Sequence, residues 1–112
     1  MPNQDGPARR AFTAIVPTYL DYDGVETATG FGGNPGLRLD GRIFAMLVDD
    51  DLVVRLDPGL VSQLVGIDGA VAFDAGKGRP MRAWLRVPFG SSPGGLTWEE
   101  LVQTAFMTAK SG

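Results

Sequence analysis

A short basic and aromatic stretch contains the residue types in this sequence that could do chemistry. Between residues 75 and 90 there are four cations and no carboxylate. The candidate contact residues are Lys77, Arg79, Arg82, Trp84 and Arg86. Arginine and lysine bind phosphates, and an aromatic ring can stack on a base, so the stretch predicts a contact with nucleic acid or another partner. The alternative is an ordinary solvated strand face on which Trp84 is covered by its arginine neighbours or is packed under a helix.

A second candidate is the glycine-rich loop Gly30–Gly36. Backbone N–H groups beside glycines can approach a phosphate or another small anion. The spacing differs from dinucleotide-binding and P-loop motifs, because residue 35 is proline and a strand, not a helix, is expected next. The structural alternative is that these glycines allow positive-φ turns and close packing of Phe31. A small-ligand-binding domain that uses this loop, the sheet and the C-terminal helix is therefore the second hypothesis.

The composition excludes most enzyme classes. The 112 residues include no histidine and no cysteine, which removes thiolate nucleophiles, Ser-His pairs, iron–sulfur clusters and the usual zinc ligands. The acidic segments Asp21–Glu26 and Asp49–Asp51 lack the spacing of a calcium loop and are expected to be solvated turns. No spacing places two carboxylates together on one buried face. We therefore expect a non-enzymatic protein with no catalytic residues, no metal site and no cofactor.

Charge and hydropathy limit the class of protein further. The formal net charge of −3 gives the whole chain no general attraction for nucleic acid. The longest apolar run, Ile43–Val48, is far shorter than the roughly 20 residues of a membrane span, so we expect a cytoplasmic protein with no membrane contact. The sixteen glycines and eight prolines predict many loops. Residues 1–7 are expected to be a flexible terminus, and residues 8–112 a single domain.

Hydrophobic periodicity and capping residues predict three helices. The N-terminal helix has an apolar stripe formed by Phe12, Ile15, Val16, Tyr19 and Leu20. Pro17 lies inside that stripe and predicts a kink or two short turns. Asp57-Pro58 is typical of the start of a short middle helix, and Thr97 with Glu100 forms a capping box at the start of a C-terminal helix. The expected buried face of that last helix is Trp98, Leu101, Val102, Ala105, Phe106 and Ala109.

Alternation and turn residues predict an antiparallel sheet of about four to five strands. Asp40-Gly41 is a tight-turn dipeptide, and the apolar run Ile43–Val48 that follows it is typical of a central strand covered on both faces. The returning strand presents Leu52, Val54 and Leu56 as its apolar side. In the strand Met81–Val87, alternation places Met81, Ala83, Leu85 and Val87 on one face, and Arg82, Trp84 and Arg86 on the other. With the helices packed on this sheet, the fold class is α+β.

Several of these segments together resemble the TfoX N-terminal domain family. The resemblance is carried by Thr29-Gly-Phe-Gly-Gly33, Gly41-Arg-Ile-Phe-Ala-Met46, Gly76-Lys-Gly-Arg-Pro-Met81 and Trp84, and it extends from Phe12 to Met107. The sequence departs from the family pattern at Gly30, where methionine is usual, and at Asn34-Pro35. A weaker resemblance is to the MmcQ/YjbR-like proteins, which are described as DNA-binding.

The resemblance implies a bacterial α+β domain with a role in regulating transcription or competence. It implies no catalytic residues, and its partners would be an unknown protein or nucleic acid. A homodimer formed through a sheet edge or the Trp84 face is a further expectation. The family-motif residues, expected to be structural, are Phe31, Gly32, Gly33, Gly78, Pro80 and Met81.

Overall fold

The helices of this protein pack on one face of an antiparallel sheet. The computed structural model describes residues 6–29, 34–74 and 81–111. Its elements, in chain order, are α1 (Pro7–Leu20), β1 (Val25–Thr29), β2 (Pro35–Leu39), β3 (Arg42–Val48), β4 (Asp51–Arg55), α2 (Pro58–Leu64), β5 (Val71–Phe73), β6 (Met81–Pro88) and α3 (Trp98–Ser111). The strand order is β1-β2-β3-β4-β6-β5. The predicted α+β class is confirmed, and the described sheet has six strands because the short outer strands β1 and β5 also pair.

Helix α1 is continuous through its internal proline. Its buried residues are Ala8, Phe12, Ile15 and Tyr19. Of the two alternatives predicted at Pro17, a kink or two short turns, the second is wrong: proline removes one backbone donor, but the packed residues before and after it lie on the same face of one helix. Leu20, expected in the apolar stripe, is 42% exposed because it lies beyond the buried face.

Helices α2 and α3 begin where the sequence predicted. The Asp57 carboxylate accepts a hydrogen bond from the Gly59 N–H at 3.0 Å. At the start of α3, the Thr97 hydroxyl oxygen accepts from the Glu100 N–H at 3.2 Å, and the Glu100 carboxylate accepts from the Thr97 N–H at 3.0 Å. Both caps therefore satisfy backbone donors that the helix leaves free. Within the described ranges, no helix is both long and apolar enough to cross a bilayer.

A tight turn and a bulge shape the β2–β3 hairpin. Asp40 and Gly41 have φ of 51° and 84°, as a two-residue turn between antiparallel strands requires. Further along, Leu37 pairs with Ala45 but Arg38 pairs with Ile43, so β3 contains one extra residue, Phe44. As a consequence, both Phe44 and Ala45 belong to the core on the helix side of the sheet. The predicted burial of this central strand is confirmed.

The sheet has buried residues on both faces. The main core lies between the helices and the sheet, and a smaller cluster of Met46, Val53 and Phe73 lies on the opposite face. Leu85 and Val87 belong to the main core, whereas Met81 and Trp84 pack against the smaller cluster. The prediction that Met81 shares a face with Leu85 is therefore wrong. Strict alternation fails because the β5–β6 register shifts between Ala72 and Phe73.

Candidate functional site

The predicted basic and aromatic stretch is only partly within the described residues. Lys77, Gly78, Arg79 and Pro80 lie outside them, as do Phe31, Gly32 and Gly33 of the glycine-rich loop. Of the remaining candidates, Arg82 is exposed, and Met81, Trp84 and Arg86 are half-buried on β6. The described part of the predicted site therefore consists of these four side chains.

Arg86 is held by two carboxylates of the β3–β4 turn. Its Nε donates to Asp51 at 2.6 Å, and its terminal nitrogen donates to Asp49 at 3.2 Å. Burial alone would lower the pKa of Arg86, but the hydrogen bonds and charges of Asp51 and Asp49 outweigh that effect and raise the pKa. The guanidinium charge is therefore already neutralised within the protein, which leaves it a poor ligand for phosphate.

Arg82 and Trp84 face different sides of the sheet. Arg82 lines a surface depression of about 480 Å³ together with Pro58, Val61 and Val65 of the α2 region. Trp84 packs beside the Met46 cluster on the side opposite the helices. The prediction that Arg82, Trp84 and Arg86 form one face is therefore wrong for Arg82, because the strand irregularity turns it toward α2.

A different surface, between α1 and α3, combines a cavity with exposed apolar side chains. The two helices run in the same direction, because Tyr22 after α1 and Lys110 at the end of α3 both meet the β2–β3 turn at one end of the sheet. Between the helices lies a cavity of about 620 Å³, which we call the helix groove. From α1 and the turn after it, the groove is lined by Ala11, Ala14, Ile15, Thr18, Tyr19 and Tyr22. From α3, it is lined by Glu99, Gln103, Phe106, Met107 and Lys110.

Aromatic rings form the floor of one end of the helix groove. The Phe106 ring centre lies 5.2 Å from that of Tyr19, 4.7 Å from that of Tyr22 and 5.6 Å from that of Phe44. Burial, followed by repulsion from Tyr22, raises the pKa of the Tyr19 phenol. The Lys110 ammonium lies 5.4 Å from the Phe106 ring centre, within cation–π range. These contacts fix the rings and hold the lysine at the rim of the groove.

The aromatic end opens into a second depression of about 640 Å³. The two hollows share Tyr22, Phe106 and Lys110. Beyond them, this depression is lined by two carboxylates and one cation, Asp23, Asp40 and Arg42, and by the apolar residues Leu39 and Ala109. The helix groove therefore passes from an apolar centre into a polar rim, the arrangement typical of protein interfaces.

Large apolar side chains remain open to solvent along the groove. Met107 is 52% exposed and Tyr22 is 48% exposed. The described residues contain no group of three or more histidine, cysteine or carboxylate side chains that could hold a metal ion. The groove offers an apolar surface with the Glu99 carboxylate and the Lys110 ammonium at its rim, which suits it to contact with another apolar surface.

Sequence reasoning did not find this surface. Its one sequence signal is Met107, an apolar residue that lies outside the predicted buried stripe of the C-terminal helix. Tyr22 lay in a segment interpreted as a turn. Neither residue can be recognised as part of a binding surface until the fold places α1 beside α3.

Comparison with known proteins gives no relative for this chain: no family model, no curated protein and no solved structure matches it. The resemblance to the TfoX N-terminal domain family therefore stays a prediction. The small-ligand hypothesis also stays a prediction, since most of its glycine-rich loop lies outside the described residues.

Proposed function

We propose that this chain is a non-enzymatic interaction domain that binds protein through the helix groove. The observation that carries the proposal is the exposure of Met107 and Tyr22 beside a cavity of about 620 Å³ with an aromatic floor. Water contact with such a surface is unfavourable by roughly 25 cal/mol for each Å² of apolar area. A protein partner that covers the groove would recover this free energy, and the charged rim would orient it.

Protein is favoured over nucleic acid as the partner because of how the described cations are used. Arg86 is paired with Asp49 and Asp51, and Arg82 lies away from Trp84 near α2. Arg42 and Lys110 line their depression together with Asp23 and Asp40, so that depression carries both signs of charge and is not a basic patch. A net charge of −3 adds no long-range attraction for phosphates.

The resemblance to the TfoX N-terminal domain family adds a biological setting to this proposal. In that setting the protein contact belongs to a regulatory assembly, with transcription or competence as the regulated process. The groove residues Met107 and Phe106 lie at the end of the segment that carries the resemblance.

Site-specific photo-cross-linking in producing cells tests the proposal. A benzophenone amino acid replaces Met107 in one variant and Val71 in another; Val71 is 48% exposed on edge strand β5 and serves as the matched control. We expect a light-dependent adduct at position 107 that protease destroys and nuclease does not. Mass spectrometry identifies the partner, and the same adduct should form again from the purified components.

Three outcomes would contradict the proposal. They are an adduct at position 107 that nuclease removes, an equal yield at positions 107 and 71, and no adduct at position 107. The first outcome, an adduct that nuclease removes, would make the basic stretch around Arg82 a candidate nucleic-acid contact again.

A further inference from the structure

Helix α3 carries opposite charges at the two ends of one exposed stripe. The stripe contains Glu99, Gln103, Met107 and Lys110, all of which line the helix groove. Lys110 lies eleven positions after Glu99, which is close to a whole number of helical turns and spans about 16 Å. The acidic end is the first turn of the helix and the basic end is the last turn.

Neither charge is neutralised by an opposite charge within the described part of the chain. Glu99 and Lys110 form no ion pair with any described residue, whereas Arg38 pairs with Glu26 and Arg86 pairs with Asp49 and Asp51. The interaction that Lys110 does make is with aromatic ring faces, 5.4 Å from Phe106 and 6.0 Å from Tyr22. That contact holds the ammonium at the groove rim with its charge unneutralised.

We propose that the partner in the helix groove is a second copy of this chain, packed with the two α3 helices antiparallel. Around a two-fold axis, the stripe is its own complement: Glu99 of each copy lies opposite Lys110 of the other. Gln103 and Met107 flank the axis, so the two methionines lie near the centre of the contact and the ion pairs lie at its ends. Antiparallel packing also brings the positive end of each helix dipole to the negative end of the other. This inference rests on the proposed function, since it names the protein bound at the same site.

Helix α1 leaves room for the second copy. Ala11, Ala14 and Thr18 are the side chains that α1 contributes along the open wall of the groove, and all three are small. Small residues allow a facing helix to approach closely, so Met107 of the second copy can enter between α1 and α3. The exposed methionine adapts to this irregular surface because its side chain is unbranched.

The sheet edges are weaker candidates for self-association. Edge strand β5 has only three residues, so it offers few backbone groups for pairing with a second copy. The other edge strand, β1, carries Glu26 in an ion pair with Arg38 at 3.4 Å, and a charge on an edge strand opposes pairing with another strand. The groove is therefore favoured over either sheet edge as the surface for self-association.

Sedimentation velocity over a concentration series tests the dimer with four forms of the full chain. They are the wild type, Glu99→Lys, Lys110→Glu and the double variant with both changes. Each single reversal replaces both symmetry-related ion pairs with repulsion, so we expect the dimer to weaken about tenfold. The double variant restores opposite charges and should recover dimerisation. Asp50→Lys, an exposed reversal in the β3–β4 turn, should leave the dimer unchanged.

The proposal is overturned if the wild type sediments as a monomer across the series, or if it forms a dimer that both single reversals leave unchanged. Thermal unfolding of every variant confirms that it is folded, which the exposure of both residues leads us to expect. A monomeric wild type that still cross-links another protein at position 107 overturns the dimer and leaves the proposed function standing. A wild-type dimer that both charge reversals leave unchanged, together with no cross-link at position 107, overturns both the dimer proposal and the proposed function.

Discussion

Tyr19 places a phenol inside the aromatic cluster, and this gives the protein a pH dependence at the alkaline end. Burial first, and then repulsion from Tyr22, raises the pKa of Tyr19 in the folded chain. Its stabilising contribution is complete below the unfolded pKa of about 10 and is lost as the pH rises through the folded value, because the unfolded phenol loses its proton first. We expect the unfolding free energy of the wild type to fall above this pH more steeply than that of Tyr19→Phe. Urea unfolding at a series of pH values measures the difference. Parallel alkaline profiles for the two proteins would contradict this assignment.

Asp51 is the closer of the two carboxylates that hold Arg86. The Asp51–Arg86 distance is 2.6 Å, and the two side chains are only 25% and 28% exposed. Replacing the carboxylate leaves a half-buried guanidinium with one exposed partner, so Asp51→Asn should lower the unfolding free energy by about 1 kcal/mol. Asp50→Asn, at the exposed neighbouring position of the same turn, should have little effect. Equal urea midpoints for the two variants would show that the Arg86 pair does not stabilise the fold.

At the scale of the element, the start of α3 depends on Thr97. Its hydroxyl accepts from the Glu100 N–H at 3.2 Å and also donates to the Glu100 carboxylate at 3.1 Å. Removing an N-cap hydroxyl typically costs about 1 kcal/mol, so Thr97→Ala should destabilise the protein by that amount. Thr13→Ala, at an exposed interior position of α1, should be neutral or slightly stabilising, since alanine has the higher helix propensity. Thermal denaturation of both variants makes the comparison, and an unchanged melting temperature for Thr97→Ala would rule out the capping role.

Elements that depend on local chemistry were predictable from the sequence. The Asp57 and Thr97 caps and the Asp40-Gly41 turn need only neighbouring residues, and all three are confirmed. The faces of β6 were not predictable, because they depend on a register shift against β5, a strand ten residues earlier in the chain. The continuity of α1 at Pro17 likewise depends on how the helix packs against the sheet. Sequence rules that consider only neighbouring residues do not include that packing.

At the scale of the whole molecule, the predicted site and the site the structure favours differ. The basic stretch was visible as a run of residues, but the fold divides its described members between two sides of the sheet. The helix groove joins residues 11–22 to residues 99–110, so no single window of sequence contains it. Only tertiary structure brings these two helices together and leaves Met107 exposed beside Phe106.

The rate at which peroxide oxidises Met107 tests most directly whether protein covers the helix groove. The reaction depends on access to the sulfur, and Met107 is 52% exposed while Met46 is 0% exposed and serves as the internal reference. The measurement compares the purified chain at high dilution with the assembly isolated undenatured from producing cells. Slower oxidation of Met107 in the assembly, with Met46 slow in both samples, is the expected result. An equal Met107 rate in the two samples would contradict the claim that the groove is a protein contact.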